Sequence, residues 1–296
     1  MIGSLACLGP GRLGPALARR WQEAGVELLG FFGRDPGHCR EAVSFCAAGR
    51  VLSCYQDLGA ADAVLLSVSD LALPEVVAAA AASAAPKPGS LWFHCSGYVA
   101  VDVLQPLAEL GAGIGSLHPL CPVADRQAGY LALQGKPALL EASPNSVRAL
   151  EQLACRAGLV PVLAPRAVNR PLYHAACSAA ANGLTALFDL LAEILEQASG
   201  LPRERVEPML ASLMSGALQA CGELGATAAL SGPIARGDAA LVAGHLSALQ
   251  SSPALDSYRA LMRRAVALAR QQGGIDARGA DQLLALLRDP DGEGRG

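Results

Sequence analysis

Gly9-Pro10-Gly11-Arg12-Leu13-Gly14 has the G-x-G-x-x-G spacing that brings main-chain N–H groups against a pyrophosphate. The first glycine of such a run allows a tight turn and the second leaves room for the phosphates. The third lets the following helix pack closely, with its positive end aimed at the anion. Arg34 stands twenty residues after Gly14 (34 − 14), where an NAD site would carry an Asp or Glu for the ribose 2′-hydroxyl. A guanidinium there suits a 2′-phosphate by charge and fork geometry, so NADP is the expected cofactor. Asp35 is the alternative, serving NAD if the strand ends one residue later, and a solvated Arg34 opening a helix is the plain structural reading.

The second set of groups with chemistry to offer is the histidines. Of five, His94 lies in His-Cys-Ser-Gly, His118 in Ser-Leu-His-Pro, His174 in Leu-Tyr-His-Ala-Ala-Cys-Ser and His245 after Gly-Pro-Ile-Ala-Arg-Gly-Asp, while His38 reads as a surface residue. His174, Ser178 and Asn182 recur at i, i+4 and i+8, which places them on one helix face. The alanines around them would let a nicotinamide and its substrate approach. Reduction of a carbonyl needs a proton donor within about 3 Å of the oxygen. His174 is the expected acid, with Asn182 holding the oxygen and His118 as the other catalytic candidate. Tyr173, Ser178 and Arg236 are expected to line the substrate, with Arg236 free to pair with a carboxylate or to form an interdomain salt bridge. Asp238 reads as a helix N-cap.

These residues need strands and helices to hold them. Short apolar runs at 2–8, 26–33, 51–54, 63–68, 91–95, 114–118, 138–141 and 159–163 alternate with helical segments, the pattern of a parallel sheet. Ligands of such sheets bind outside the carboxyl ends of the strands. Ser67, Val68 and Ser69 after one strand, and His94, Cys95 and Ser96 after the next, are therefore expected at the cofactor. Beyond residue 165 the pattern is helical, at 168–198, 203–223, 239–249 and 253–272. The expected fold is an α/β Rossmann domain, doubly wound with a mostly parallel sheet (1–165), followed by an all-α second domain (166–288) and a disordered tail (289–296).

Composition narrows the class. Hydrophobic residues make up 52% and aromatic residues 4%, and the net charge is −3, with no basic cluster to meet a nucleic acid. The chain opens on a strand without a charged leader, and the apolar helix after Leu172 is interrupted by Asn182, Asp189 and Glu193. No membrane span is expected, and the location expected is the cytoplasm. None of the nine cysteines is in C-x-x-C spacing, so reduced core residues are expected, with neither disulfides nor a metal site.

Taken together, His94-Cys-Ser-Gly97, Gly115-Ser-Leu-His-Pro-Leu120, Leu172-Tyr-His-Ala-Ala-Cys-Ser-Ala-Ala-Ala-Asn182 and Leu230-Ser-Gly-Pro-Ile-Ala-Arg-Gly-Asp238 resemble the Rossmann-like proteins with a C-terminal domain of unknown function 2520. These are relatives of the β-hydroxyacid dehydrogenases and ketopantoate reductases. The resemblance covers nearly the whole chain. It implies an NADP-type oxidoreductase whose helical domain closes over the nicotinamide and contributes to a homodimer, with a small keto acid as substrate. One departure bears on mechanism. The wider superfamily carries a Lys on the first long helix of the second domain with an Asn one turn later. This chain has only Lys87 and Lys136, and Ser178 stands one turn before Asn182. Two readings follow, a reductase with another proton donor and a non-catalytic NADP(H)-binding or redox-sensing protein.

Overall fold

A computed structural model gives the structure of residues 2–84 and 86–289, and the expected tail past Asp289 lies outside the described residues. The chain divides into two compact units, Met1–Ala181 and Asn182–Gly296, where the sequence pattern suggested a division after residue 165.

In the first unit, eight strands form one sheet: β1 (Ser4–Leu8), β2 (Glu27–Phe32), β3 (Arg50–Val51), β4 (Ala63–Leu66), β5 (Leu91–His94), β6 (Gly113–Pro119), β7 (Pro137–Ala142) and β8 (Val160–Leu163). Their order is β3-β2-β1-β4-β5-β6-β7-β8. The connecting helices are α1 (Leu13–Glu23), α2 (Pro36–Cys46), α3 (Leu73–Ser83), α4 (Gln105–Ala108), α5 (Arg126–Ala132), α6 (Val147–Arg156) and α7 (Arg170–Ser178). The central strands are unbroken apolar runs because both sheet faces are covered. Alternate residues feed two cores, with Leu5, Cys7, Leu65 and Phe93 on one face and Ala6, Leu8, Val64, Leu66 and Trp92 on the other. Trp21 of α1 packs edge-on against Phe93 and donates from its buried Nε1 to the Leu153 carbonyl at 2.7 Å, which ties α1 to α6.

Strands β1 to β6 run parallel, but β7 is antiparallel to β6, with Ser116 opposite Glu141 and His118 opposite Leu139. The connection explains the reversal. Arg126, at the start of α5, bonds to the loop after β1, so the chain stays at the carboxyl edge and re-enters the sheet from there. β8 then pairs in parallel with β7.

The second unit holds α8 (Leu184–Ser199), α9 (Arg203–Leu224), α10 (Ala226–Ala229), α11 (Ala239–Ala248), α12 (Leu255–Gln272) and α13 (Ala277–Leu286). The sequence reading set out no helix for α10 or α13. The latter is short, contains Gly279 and is started by Asp276, which accepts from the Gly279 N–H. Asp238 caps α11 in the same way, accepting from Leu241 N–H. One core joins Ile234, Val242, Val266 and Leu283, and a smaller one joins Ala192, Val206 and Leu210. The helix expected at 168–198 is not uniform. A π-helical turn, Ala179–Gly183, separates α7 from α8, so the regular i, i+4 spacing of His174, Ser178 and Asn182 does not continue across it. By length and composition, Arg170–Ser199 is long and apolar enough to cross a membrane.

Candidate functional site

The loop between β1 and α1 shows why its three glycines differ. Gly9 has φ +100°, and a Cβ there would lie 2.2 Å from the Ser67 carbonyl oxygen. Its N–H donates to the Phe32 carbonyl at 2.9 Å, closing the turn over the ends of β1, β2 and β4. A Cβ on Gly14 would lie 2.9 Å from both the Gly9 oxygen and the Ser67 Cβ, so this glycine lets α1 sit down on the sheet. Gly11 meets nothing nearer than 3.9 Å. It therefore faces open space beside the first turn of α1, where no side chain caps the N-terminal amides. That concavity fits a pyrophosphate, with amide donors and the helix dipole facing the anion.

Arg12, His38 and Arg126 line it, together with the carboxylates of Glu41 and Asp125. Arg12 and Arg34 are exposed, and among the described residues no carboxylate lies within ion-pair distance of either. Arg34 is the second residue after β2, where the 2′-substituent of an adenosine is read in this fold. Asp35 is committed elsewhere, because it caps α2 by accepting from Gly37 N–H at 2.7 Å and pairs with the exposed His38 at 3.4 Å. Arg126 was not among the expected site residues. Its guanidinium donates to the carbonyls of Gly11 (3.0 Å) and Pro10 (2.8 Å) and pairs with Glu41, bracing the loop from within the same cavity that Gly11 and Arg12 line. The only sequence signal was an arginine just after an Asp N-cap, which carries no indication of a partner more than a hundred residues away.

At the ends of β5 and β6 the expectations need correction. His94 was expected to meet the cofactor, but its side chain is fully buried and Cys95 is buried beside it, so at these two positions only the main chain is available. His94 Nδ1 accepts from Ser96 N–H at 3.1 Å, and the Ser96 hydroxyl accepts from the N–H groups of Tyr98 and Val99. Burial first, and then the Arg170 charge, pulls the His94 pKa down to about 4, so it is a neutral structural residue. Ser67 and Val68 stand where expected beneath the loop of Gly9, and Ser69 is exposed at the start of the turn into α3.

His118, near the end of β6, is hydrogen-bonded through Nδ1 to the Tyr173 hydroxyl at 2.7 Å, with the rings edge to face. Gly97 makes room for it, since a Cβ there would lie 2.7 Å from His118 Nε2. Burial, Arg170 and His174 lower the His118 pKa to about 4, against the opposing pull of Asp70. That direction favours the neutral imidazole for His118. Burial and a hydrogen-bonding contact with Cys177, one turn along α7, push the Tyr173 phenol up. His174 packs edge-on against Tyr98, ring centroids 5.7 Å apart.

The start of α7 is fixed by an ion pair. Arg170, 2% exposed, pairs with Glu141 of β7 and also donates to the Ser96 carbonyl at 3.3 Å. The other Glu141 oxygen accepts from Val168 N–H at 3.0 Å. Tyr173 and His174, one turn later, are thereby aimed at the strand ends. Asn182 and Arg236 belong to the second unit. Among the described residues no group of three or more His, Cys, Asp or Glu side chains could hold a metal ion, and none of the nine cysteines is in a disulfide.

Residues 4–119 match the Rossmann-like domain model, and residues 136–265 match the domain of unknown function 2520. Among solved structures, the chain is similar to a candidate NADP oxidoreductase from Bacteroides fragilis (20% identity, TM-score 0.66), over 92% of this chain and 98% of that one. It is also similar to a Thermotoga maritima protein (18%, TM-score 0.66; 91% and 99% covered). A third is a Plasmodium falciparum pyrroline carboxylate reductase with NADP bound (13%, TM-score 0.59; 96% and 98% covered). At these identities the likeness is one of fold. Comparison with curated proteins finds no match.

Proposed function

We propose that this chain, a Rossmann-like domain followed by the domain of unknown function 2520, is an NADP(H)-dependent oxidoreductase reducing the carbonyl of a small keto acid. The observation that carries the reading is the concavity at Gly11, open beside the uncapped start of α1 and lined by Arg12 and Arg126, with Arg34 exposed two residues past β2. Gly9 to Gly14 would hold the pyrophosphate, Arg34 the 2′-phosphate, and the main chain of Ser67–Ser69 and His94–Ser96 the nicotinamide half. When bound, the reduced nicotinamide supplies a hydride. The chain's own groups must then exclude water and furnish a proton. Tyr173, His118 and His174 are the candidates in the first unit, with Ser178 as a proposed substrate contact on the same helix as Tyr173 and His174.

A metabolite screen that follows NADPH oxidation tests this directly. Turnover of a 2-keto acid supports it, and tight NADPH binding without turnover of any carbonyl favours the sensor reading, which the absence of a lysine after Lys136 recommends.

The second unit suits pairing with another copy of itself. Met209, Leu213 and Leu224 share one face of α9 and are 59–71% exposed, apolar surface of the kind that marks an interface. A homodimer, soluble in the cytoplasm, accounts for it and for the uncovered apolar stretch of Arg170–Ser199 without a bilayer.

A further inference from the structure

Tyr173 sits between two partners. His118 Nδ1 is 2.7 Å from its hydroxyl, and Cys177 lies within hydrogen-bonding reach on the same helix. A phenol has one proton to give and two lone pairs with which to accept. If the imidazole carries its proton on Nδ1, it donates to the phenol, and the phenolic proton is left to Cys177 or to a substrate oxygen that takes its place.

We propose that Tyr173 is the proton donor to the substrate oxygen and that His118, as its Nδ1–H tautomer, reprotonates it from solvent. This rests on the reductase reading. As the carbonyl carbon gains a hydride, the C=O π pair moves onto oxygen, and that oxygen takes the phenolic proton of Tyr173. The phenolate left behind takes the Nδ1 proton of His118, while Nε2 takes one from water and releases hydroxide to the buffer. The imidazole ends neutral in its other tautomer, which returns to the first by exchange with solvent.

The structure supports each element. His118 is only part-buried, which leaves its ring within reach of solvent, while the side-chain-free Gly97 lets its backbone pack against the Nε2 edge. Arg170 keeps cationic charge near the imidazole, His174 adds to it, and Asp70 opposes it; burial and the cations prevail and hold the ring neutral. Burial keeps the phenol protonated, as a donor must be. Arg170 itself is committed to Glu141 and the Ser96 carbonyl.

The test begins without substrate. In protein labelled with ¹⁵N-histidine and assigned with His118→Asn, the proposal expects His118 to be neutral with its proton on Nδ1 throughout the neutral range, and Tyr173→Phe to shift it to the Nε2–H form. An Nε2–H tautomer in the wild type, or a His118 signal unaffected by Tyr173→Phe, overturns the relay. With any 2-oxo acid that the wild type reduces, Tyr173→Phe should lower kcat about 10²–10⁴-fold and leave the NADPH Kd within about twofold. Full turnover by that variant also overturns it. Failure of the wild type to bind NADPH, or to reduce any member of the 2-oxo acid panel, counts against the reductase reading instead, and the tautomer measurement still decides the dyad.

Discussion

Gly11 and Gly9 are two residues apart, yet alanine at the two positions should have opposite effects. At Gly11 the new methyl meets only the Ser67 oxygen, 3.9 Å away, and the backbone is not in the left-handed region. The folded state should lose nothing. A gain of about 0.4–1 kcal/mol is expected, because alanine restricts the unfolded chain. That methyl would nevertheless stand in the space assigned to the pyrophosphate. Loss of one charge-assisted hydrogen bond to an amide costs about 1.5–3 kcal/mol, or roughly ten- to hundredfold in NADPH affinity. At Gly9 the methyl would lie 2.2 Å from the Ser67 carbonyl oxygen at φ +100°. Backbone strain of about 1–3 kcal/mol adds to about 1–3 kcal/mol for overpacking. That is a large share of a typical stability of about 5–15 kcal/mol. Denaturant melts and NADPH fluorescence titrations of both variants are the assay. A Gly11→Ala protein that binds NADPH like the wild type would refute the placement of the phosphates, and a Gly9→Ala protein of undiminished stability would refute the account of the turn.

Arg34→Ala should reduce an NADPH-over-NADH preference of at least about tenfold to near parity, the loss of one ion-paired contact of about 1.5–3 kcal/mol; unchanged selectivity by titration would remove the assignment of Arg34. Arg126→Ala should weaken NADPH and NADH alike, by about tenfold each, because it loosens the loop without touching the 2′-phosphate; an altered ratio between the two cofactors would contradict this. His94 titrates near 4 in the fold, below the usual imidazole value of 6.5, so the unfolded chain binds the extra proton first as pH falls. Its contribution, on the order of 3 kcal/mol, should be complete above pH 6.5 and lost progressively down to about pH 4. His118, lowered to the same value, adds a loss over the same window, so melts across that range should show both and His94→Asn should remove about half of the loss. Leu213→Lys on α9 should turn a dimer into a monomer by light scattering, and a wild type already monomeric at micromolar concentration would dispose of the homodimer.

The nucleotide cradle was legible because its signal is local: a strand, three glycines and a helix within fourteen residues. The Asp238 cap was readable for the same reason. The groups at the strand ends were less so. The sequence placed His94 and His118 at the carboxyl edge of the sheet, but which way a terminal side chain turns depends on what packs over it. Gly97 leaves room for His118, whereas His94 is drawn into the core and bonded to Ser96. The pairing of His118 with Tyr173 spans 55 residues, and that of Arg126 with Pro10 spans 116; no periodicity encodes such contacts. The π-helical turn after Ser178 escaped notice because a run of alanines is compatible with any helical pitch.

The cradle at Gly11 and the pair at Tyr173 draw on separate parts of the first unit. The former is built from β1, α1, the end of β2 and Ser67. The latter depends on Glu141, which reaches across from β7 to fix Arg170 and Val168 at the head of the helix that carries Tyr173. Descendants of such a chain can therefore lose one capacity and retain the other. Erosion at residue 141 would release the head of α7 and leave the turn at Gly9–Gly14 intact, so under the proposed reading a single carboxylate separates proton delivery from nucleotide binding.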